Sequence, residues 1–240
     1  MRQQLIQIHG RTFVSPSPDY GFVDEQGRLG EGDIIDKYWH VREGDVVFDI
    51  GACNGLYTLP SCALGAFVYS VEPNEPSCEV IEMLLALNGF TDRCRVIRAA
   101  FSNKEGNHPA ALRATITPYF LDEPAVTTLD NAVALLGVSA VNWIKIDVEG
   151  GELLVVEGGL ETIKKYRPNI VIKDHTDIPI YAGYCVANNT RGRIKEILRS
   201  ISYDVVEEPF SNRSYIVGWP SEVPPFRHTI PNVAGLVTYQ

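Results

Sequence analysis

The sequence has little basic charge: 21 Lys and Arg stand against 30 Asp and Glu, a net of −9. A polyanion therefore meets net repulsion, and bulk nucleic-acid binding is not expected. Paired cysteines are also missing. The five present (Cys53, Cys62, Cys78, Cys94, Cys185) are odd in number, scattered and never in Cys-x-x-Cys spacing, which argues against a zinc site and fits reduced thiols in a cytoplasm. No apolar run approaches the ~18 residues of a membrane span, and the opening MRQQLIQIHG has no apolar stretch behind its single early Arg. Neither a membrane span nor secretion is expected. Internal repeats, low-complexity tracts and a clear linker are likewise lacking. The chain has 240 residues, 45% of them hydrophobic, enough to bury roughly 70–75% of its unfolded surface without disulfide or metal staples.

From Val46 onward, short β-branched runs alternate with longer stretches of helical spacing, the pattern of a parallel sheet with crossover helices. The expected strands are Val46–Ile50, Phe67–Val71, Cys94–Ala99, Trp143–Asp147 and Asn169–Lys173. The expected helices are Leu56–Leu64, Ser77–Asn88, Leu129–Leu136, Glu152–Lys165 (broken near Gly158–Gly159) and Arg191–Ile201. Asp204–Glu208 and Ser214–Gly218, joined by the turn-rich PFSNR, read as a hairpin. Ahead of Val46, QIHGRTFVS reads as a short strand and Asp33–His40 as a helical turn, separated by a loop through Gly21, Gly27, Gly30 and Gly32. Ser102–Val126, with a possible strand at Ala111–Thr117, reads as an insertion over the carboxyl edge of the sheet, and the Pro-rich tail from Pro220 as a surface wrap.

The strongest local signal is Val46-Val47-Phe48-Asp49-Ile50-Gly51-Ala52-Cys53-Asn54-Gly55, an apolar strand entering a turn with glycines four apart and then a helix. Gly51 and Gly55 would let a ligand lie against the main chain at a helix N-terminus. About twenty residues on, Glu72 closes the next strand, where an acid accepts two ribose hydroxyls. The dinucleotide fingerprint would need a middle glycine, whereas this turn reads Gly51-Ala52-Cys53-Asn54-Gly55 with Asp49 just before it. A pyrophosphate is repelled by that carboxylate and a cationic group is not, which points to S-adenosylmethionine.

These residues resemble an FkbM-type S-adenosylmethionine-dependent methyltransferase over approximately residues 41–174. The resemblance rests on VREGDVVFDIGACNGLYTL, VYSVEPN, ALNGF leading to VIRAAFSNKEG, and TTLDNAVALLGVSAVNWIKIDVEGGELLVVEGG followed by YRPNIVIK. It implies an α/β, doubly wound, Rossmann-like class I methyltransferase fold: a seven-stranded, mostly parallel sheet with a C-terminal antiparallel hairpin. The chain then divides into a lead-in (1–43), a catalytic core (44–218) and a tail (219–240) within one domain. The resemblance also implies that Asp49, Gly51, Cys53, Asn54 and Gly55 surround the methionine part of the cofactor and Glu72 holds the ribose. Ala100, Phe101 and Ser102 would approach the adenine, and Asp147 would face methyl donor and acceptor. Three positions depart from the family pattern: Cys53 stands where Asn is usual, Gly151 where His is frequent, and Lys173-Asp174-His175 where the fifth strand commonly ends in Glu.

Methyl transfer is an in-line displacement that needs an aligned acceptor in a dry pocket and a group to take the hydroxyl proton. Candidates at the ends of the fourth and fifth strands are Asp147, Glu149, Glu152, Lys173, Asp174 and His175, with His175 first as base because its ordinary pKa lies nearest neutrality. Asp147, Asp174 and His175 would also suit a hard metal, but no metal is expected. Tyr57, Tyr119 and Trp143 are aromatic candidates for an acceptor pocket or for the core. The leading expectation is O-methylation of a hydroxyl on a small molecule or glycan. The alternatives are a methyltransferase-like binding module without turnover and a nicotinamide-dependent oxidoreductase. No motif bears on the acceptor's identity or the oligomeric state.

Overall fold

A computed structural model describes residues 4–15, 30–106, 124–178, 185, 188–210 and 213–222. The strand expected at Ala111–Thr117, Tyr119, Gly21, Gly27 and most of the Pro-rich tail lie outside these residues. The chain opens with β1 (Gln4–Ile8) and β2 (Arg11–Ser15), followed by α1 (Gly32–Tyr38), β3 (Val46–Ile50), α2 (Thr58–Ala63), β4 (Phe67–Val71), α3 (Glu75–Asn88) and β5 (Cys94–Ile97). Next come β6 (Ala99–Phe101), β7 (Ala125–Thr127), α4 (Leu129–Leu135), β8 (Trp143–Ile146), α5 (Glu152–Gly158), α6 (Leu160–Tyr166) and β9 (Asn169–Asp174). The last elements are α7 (Thr190–Ser200), β10 (Tyr203–Phe210) and β11 (Arg213–Pro220).

Seven strands form one sheet in the order β10-β11-β9-β8-β3-β4-β5. β5, β4, β3, β8 and β9 run parallel, and β11 enters antiparallel between β9 and β10. Strand order therefore reverses between β3 and β8, and ligands of open α/β sheets bind at the carboxyl ends beside such a reversal. The two-residue alternation of each strand divides the core between the faces. Val47, Val68, Trp143, Val171, Tyr215 and Val217 pack on one face with residues of α1, α2 and α3. Phe48, Ile50, Ile144, Ile146, Ile170, Ile172 and Ile216 pack on the other with α4, α5, α6 and α7.

Two expectations change in detail, and a third gains its cause. The run Cys94–Ala99 is two strands: β5 ends at Ile97, whose carbonyl accepts from Glu72 N–H, and after Arg98 the chain leaves the sheet so that β6 pairs in parallel with β7. QIHGRTFVS spans part of a hairpin, since His9 and Gly10 both take positive φ (44° and 78°) between the paired Ile8 and Arg11, as a tight primed turn requires. The break in the helix after Glu152 has a steric cause. A Cβ on Gly158 would stand 2.0 Å from Ser102 O and one on Gly159 2.7 Å from a Leu129 methyl, so both glycines admit neighbours pressed against the helix axis.

Candidate active site

The site is built on the face of the sheet that carries Asp49. Asp49 and Lys145 are register partners on β3 and β8, and Asp147 lies two residues beyond Lys145, so period-two geometry sends all three side chains the same way. Lys173 and His175 repeat the pattern on and after β9. Asp174, one step out of phase, points to the opposite side. There it accepts bonds from Thr176 N and Oγ1, from Arg191 Nε and from Ser214 Oγ. The grouping of Asp147, Asp174 and His175 that would suit a hard metal is thus not formed. Among the described residues, Asp147, Glu149 and His175 bring one donor atom each within 4.8 Å of one another, and these three are the ones that could hold a cation.

Asp49 is buried, and its Oδ2 accepts from Thr58 Oγ1 at 2.6 Å; the same hydroxyl lies 2.9 Å from Ser70 Oγ. Burial pushes the Asp49 carboxyl up to about 6, against the pull of the Thr58 hydrogen bond and the Lys145 charge. Glu72 closes the neighbouring strand. Its Oε2 accepts Cys53 N–H and its Oε1 accepts Asn74 N–H, both at 2.8 Å. Burial raises its pKa in spite of these two bonds. Each oxygen retains a lone pair, as a bidentate acceptor for a diol needs. Cys53 itself is exposed and serves through its N–H, with a left-handed backbone (φ 49°). Gly51 has a different role from the one its place in the turn suggests. Its φ is +80°, and a Cβ would stand 1.9 Å from the Asp147 carbonyl oxygen, so the missing side chain admits the β8 end of the protein itself. Gly55, also left-handed, donates to Ala52 O and closes the turn, and Asn54 lies within it. Ala100 and Ser102 are buried beside this edge, whereas Phe101 is in the core under α4 and α5.

At the ends of β8 and β9 the charges interlock. Lys173 Nζ lies 3.0 Å from Asp147 Oδ2 and 2.7 Å from Glu31 Oε1, and Lys145 Nζ lies 3.5 Å from the same Asp147 oxygen. Tyr57 OH donates to Glu31 Oε2 at 2.9 Å, and Lys145 sits 4.6 Å over the Tyr57 ring. Burial alone would raise the Asp147 pKa, but the two ammoniums hold it well below the usual carboxylate range. Burial alone would lower Lys173, but Asp147 and Glu31 push it up to about 12. Held as an ammonium, Lys173 is unsuited to take a proton. His175 is fully buried. Its Nδ1 lies 2.7 Å from Glu152 Oε1, and its Nε2 is 3.5 Å from both Asp147 Oδ1 and Glu149 Oε2. Burial works to lower its pKa, but the Glu152 hydrogen bond and the charges of Glu152, Asp147 and Glu149 outweigh it and raise the imidazole. Glu149 is half exposed, on a left-handed backbone (φ 54°). Trp143 is core: it packs on Trp39 and donates to Asp45.

Sequence reasoning missed Thr58, Lys145 and Glu31. Lys145 was legible, being the polar residue two positions before Asp147 in an otherwise apolar strand. Glu31 gave no signal, since it comes from the Gly-rich lead-in.

A family model described as the methyltransferase FkbM domain matches residues 49–205, more than half of the chain, including Asp49, Glu72, Asp147, Glu149, Glu152 and Asp174 but not Glu31. The chain belongs to the FkbM methyltransferase family. Membership of this family implies S-adenosylmethionine as the cofactor. The solved structure of an FkbM methyltransferase from Methylobacillus flagellatus KT aligns with 72% of the chain at 18% identity and a TM-score of 0.53. The chain spans 43% of that protein's length. A fibrillarin pre-rRNA processing protein from Methanococcus jannaschii aligns with 91% of the chain and 83% of its own length, at 16% identity and a TM-score of 0.52. At these identities the likeness is one of fold, the class I methyltransferase fold. No curated protein matches the chain.

The residues of this FkbM chain fit a cationic cofactor. Asp147 Oδ1 is buried and makes no hydrogen bond among the described residues, with His175 Nε2 beside it at 3.5 Å, so it can accept a bond from a cationic ligand group. With Asp49 and Glu72 it makes the cradle rich in oxygen acceptors. Among the described residues no helix is long and apolar enough to cross a membrane.

Proposed function

We propose that the chain transfers the methyl group of S-adenosylmethionine to a hydroxyl oxygen of a small molecule or glycan, with His175 as the base. The observation that carries this reading is the Glu152–His175 pair: a fully buried imidazole whose Nδ1 is held by a carboxylate at 2.7 Å while Nε2 faces the gap between Asp147 and Glu149. A carboxylate on one ring nitrogen fixes the tautomer and strengthens the other nitrogen as a base. The cofactor supplies an electrophilic methyl on a sulfonium leaving group. Glu72 would hold the ribose hydroxyls, Asp49 and the backbone of the turn from Gly51 through Cys53 and Asn54 to Gly55 would enclose the methionine end, and Ala100 and Ser102, but not the core residue Phe101, would flank the adenine. Asp147 would face the reacting centre, its charge set by Lys145 and Lys173. Glu149, half exposed, would meet the acceptor. An alcohol is a poor nucleophile until its proton is leaving, so a base poised at the strand ends is what hydroxyl methylation asks of this site. The five cysteines, all free, support a reducing, cytoplasmic setting.

The test is methyl release from S-adenosylmethionine with panels of sugars, phenols and alkyl alcohols, alongside titration with S-adenosylhomocysteine. Turnover lost in His175→Ala with homocysteine-analogue affinity intact supports the base. Cofactor binding with no turnover on any panel would favour the binding module.

A further inference from the structure

At the ends of β8 and β9 two ammoniums share one carboxylate oxygen: Asp147 Oδ2 has Lys145 at 3.5 Å and Lys173 at 3.0 Å. Lys145 also has Asp49, its register partner on β3, and Glu149 and Glu152 face His175. Within the matched region Asp147 is therefore the one carboxylate among the described residues that pairs with Lys173. An ammonium satisfied by Asp147 alone weakens the negative potential that carboxylate offers a cationic donor. A second carboxylate for Lys173 comes from the lead-in. Glu31, at the N-terminal flank of α1 and outside the matched family region, reaches over the strand ends with its side chain only 12% exposed. It takes Lys173 on one oxygen at 2.7 Å and Tyr57 OH on the other at 2.9 Å.

We infer that Glu31 is a positioning residue for cofactor binding: as the counter-ion of Lys173, it leaves Asp147 negative toward a sulfonium while fixing Lys173 and Tyr57 in the wall of the site. The inference rests on the reading that the mouth beside Asp147 receives the donor end of S-adenosylmethionine. Tyr57 adds to the device, because its hydroxyl orients the Glu31 carboxylate and its ring lies under Lys145. Removal of Glu31 would leave Asp147, already in contact with Lys145, as the one carboxylate paired with Lys173 among the described residues.

S-adenosylmethionine and S-adenosylhomocysteine differ by the methyl and the sulfonium charge it creates, so the ratio of their dissociation constants reads the field at that end of the site without any acceptor. Calorimetry on the full chain would measure both ligands for wild type, Glu31→Gln, Lys173→Met and the double variant, with thermal melting as the check on folding. Glu31→Gln is expected to weaken S-adenosylmethionine relative to S-adenosylhomocysteine on the order of tenfold. Lys173→Met should move the ratio the other way. The double variant, which restores the charge balance, should return to within about twofold of wild type. A purely structural Glu31 would weaken both ligands equally and would not be rescued by the second substitution; either result in a chain that binds both ligands overturns the inference alone. If Glu31→Gln does not fold, Lys173→Met and the double variant carry the same comparison. Failure of the wild type to bind either ligand would remove the cofactor-site reading and this inference together.

Discussion

Replacing Glu152 with Gln keeps the shape of the Glu152–His175 contact and removes its charge. In the native chain His175 is fully buried, and its raised pKa is the outcome of burial, which works downward, against Glu152 at 2.7 Å and the more distant Asp147 and Glu149, which work upward. A hydrogen bond to a charged partner contributes about 1.5–3 kcal/mol, against about 0.5–1.5 for a neutral one. With that charge gone burial is opposed only by the more distant Asp147 and Glu149, so in Glu152→Gln the His175 titration should fall below that of wild type. The sign for stability follows. A group whose folded pKa is raised contributes stability that is fully present below its unfolded pKa and fades as pH rises through the folded value. Wild type should therefore hold its largest advantage over Glu152→Gln below about pH 6.5 and lose that part of it at higher pH. The Gln amide also still faces Gly150 N–H, which bonds Glu152 Oε1 at 3.0 Å, so the variant should fold. The assay is the pH dependence of the His175 ring signal by NMR, assigned by His175→Gln among the five histidines, together with melting temperatures across pH 5–9. An unshifted His175 titration in Glu152→Gln would refute the pairing as the cause of the raised pKa.

Asp49→Ala and Glu72→Ala should each weaken S-adenosylhomocysteine binding by about ten- to a hundredfold, as loss of charge-assisted hydrogen bonds entails; calorimetry that finds both unchanged would count against the cradle. Because the Asp49 carboxyl titrates at about 6, S-adenosylmethionine affinity should decline as pH falls through that value, and Asp49→Asn should flatten the decline. Gly158→Ala, which sets a Cβ 2.0 Å from the Ser102 carbonyl, should destabilise by about 1–3 kcal/mol, visible in denaturant unfolding; an unaffected midpoint would mean that the β6 edge yields freely. Since His175 supplies the proton acceptor in the proposed transfer, chelators should leave methyl transfer unchanged, and loss of activity in EDTA restored by a divalent ion would show that Asp147, Glu149 and His175 hold a cation.

Strand periodicity, the glycine-bearing turn and an acid at each strand end are local patterns, and they were readable because each is written in a few consecutive residues. VVFDIG, YSVEPN and WIKID placed Asp49, Glu72 and Asp147 at the mouth of a parallel sheet, and the α5–α6 break followed from two adjacent glycines. What stayed hidden depended on phase and on long-range neighbours. Asp174 and His175 are adjacent in sequence, yet the pleat sends Asp174 to Arg191 on one side and His175 to Glu152 on the other. Gly51 looked like room for a ligand until the end of β8 was seen to fill it. The residue content thus decided that acids, Lys173 and His175 would meet at a strand-order reversal in a methyltransferase fold. Which acid neutralises which base, and that a glutamate from the lead-in completes the balance, was decided only by packing, because Coulomb energy depends on separation in space and the chain brings Glu31 and Lys173 together across 2.7 Å.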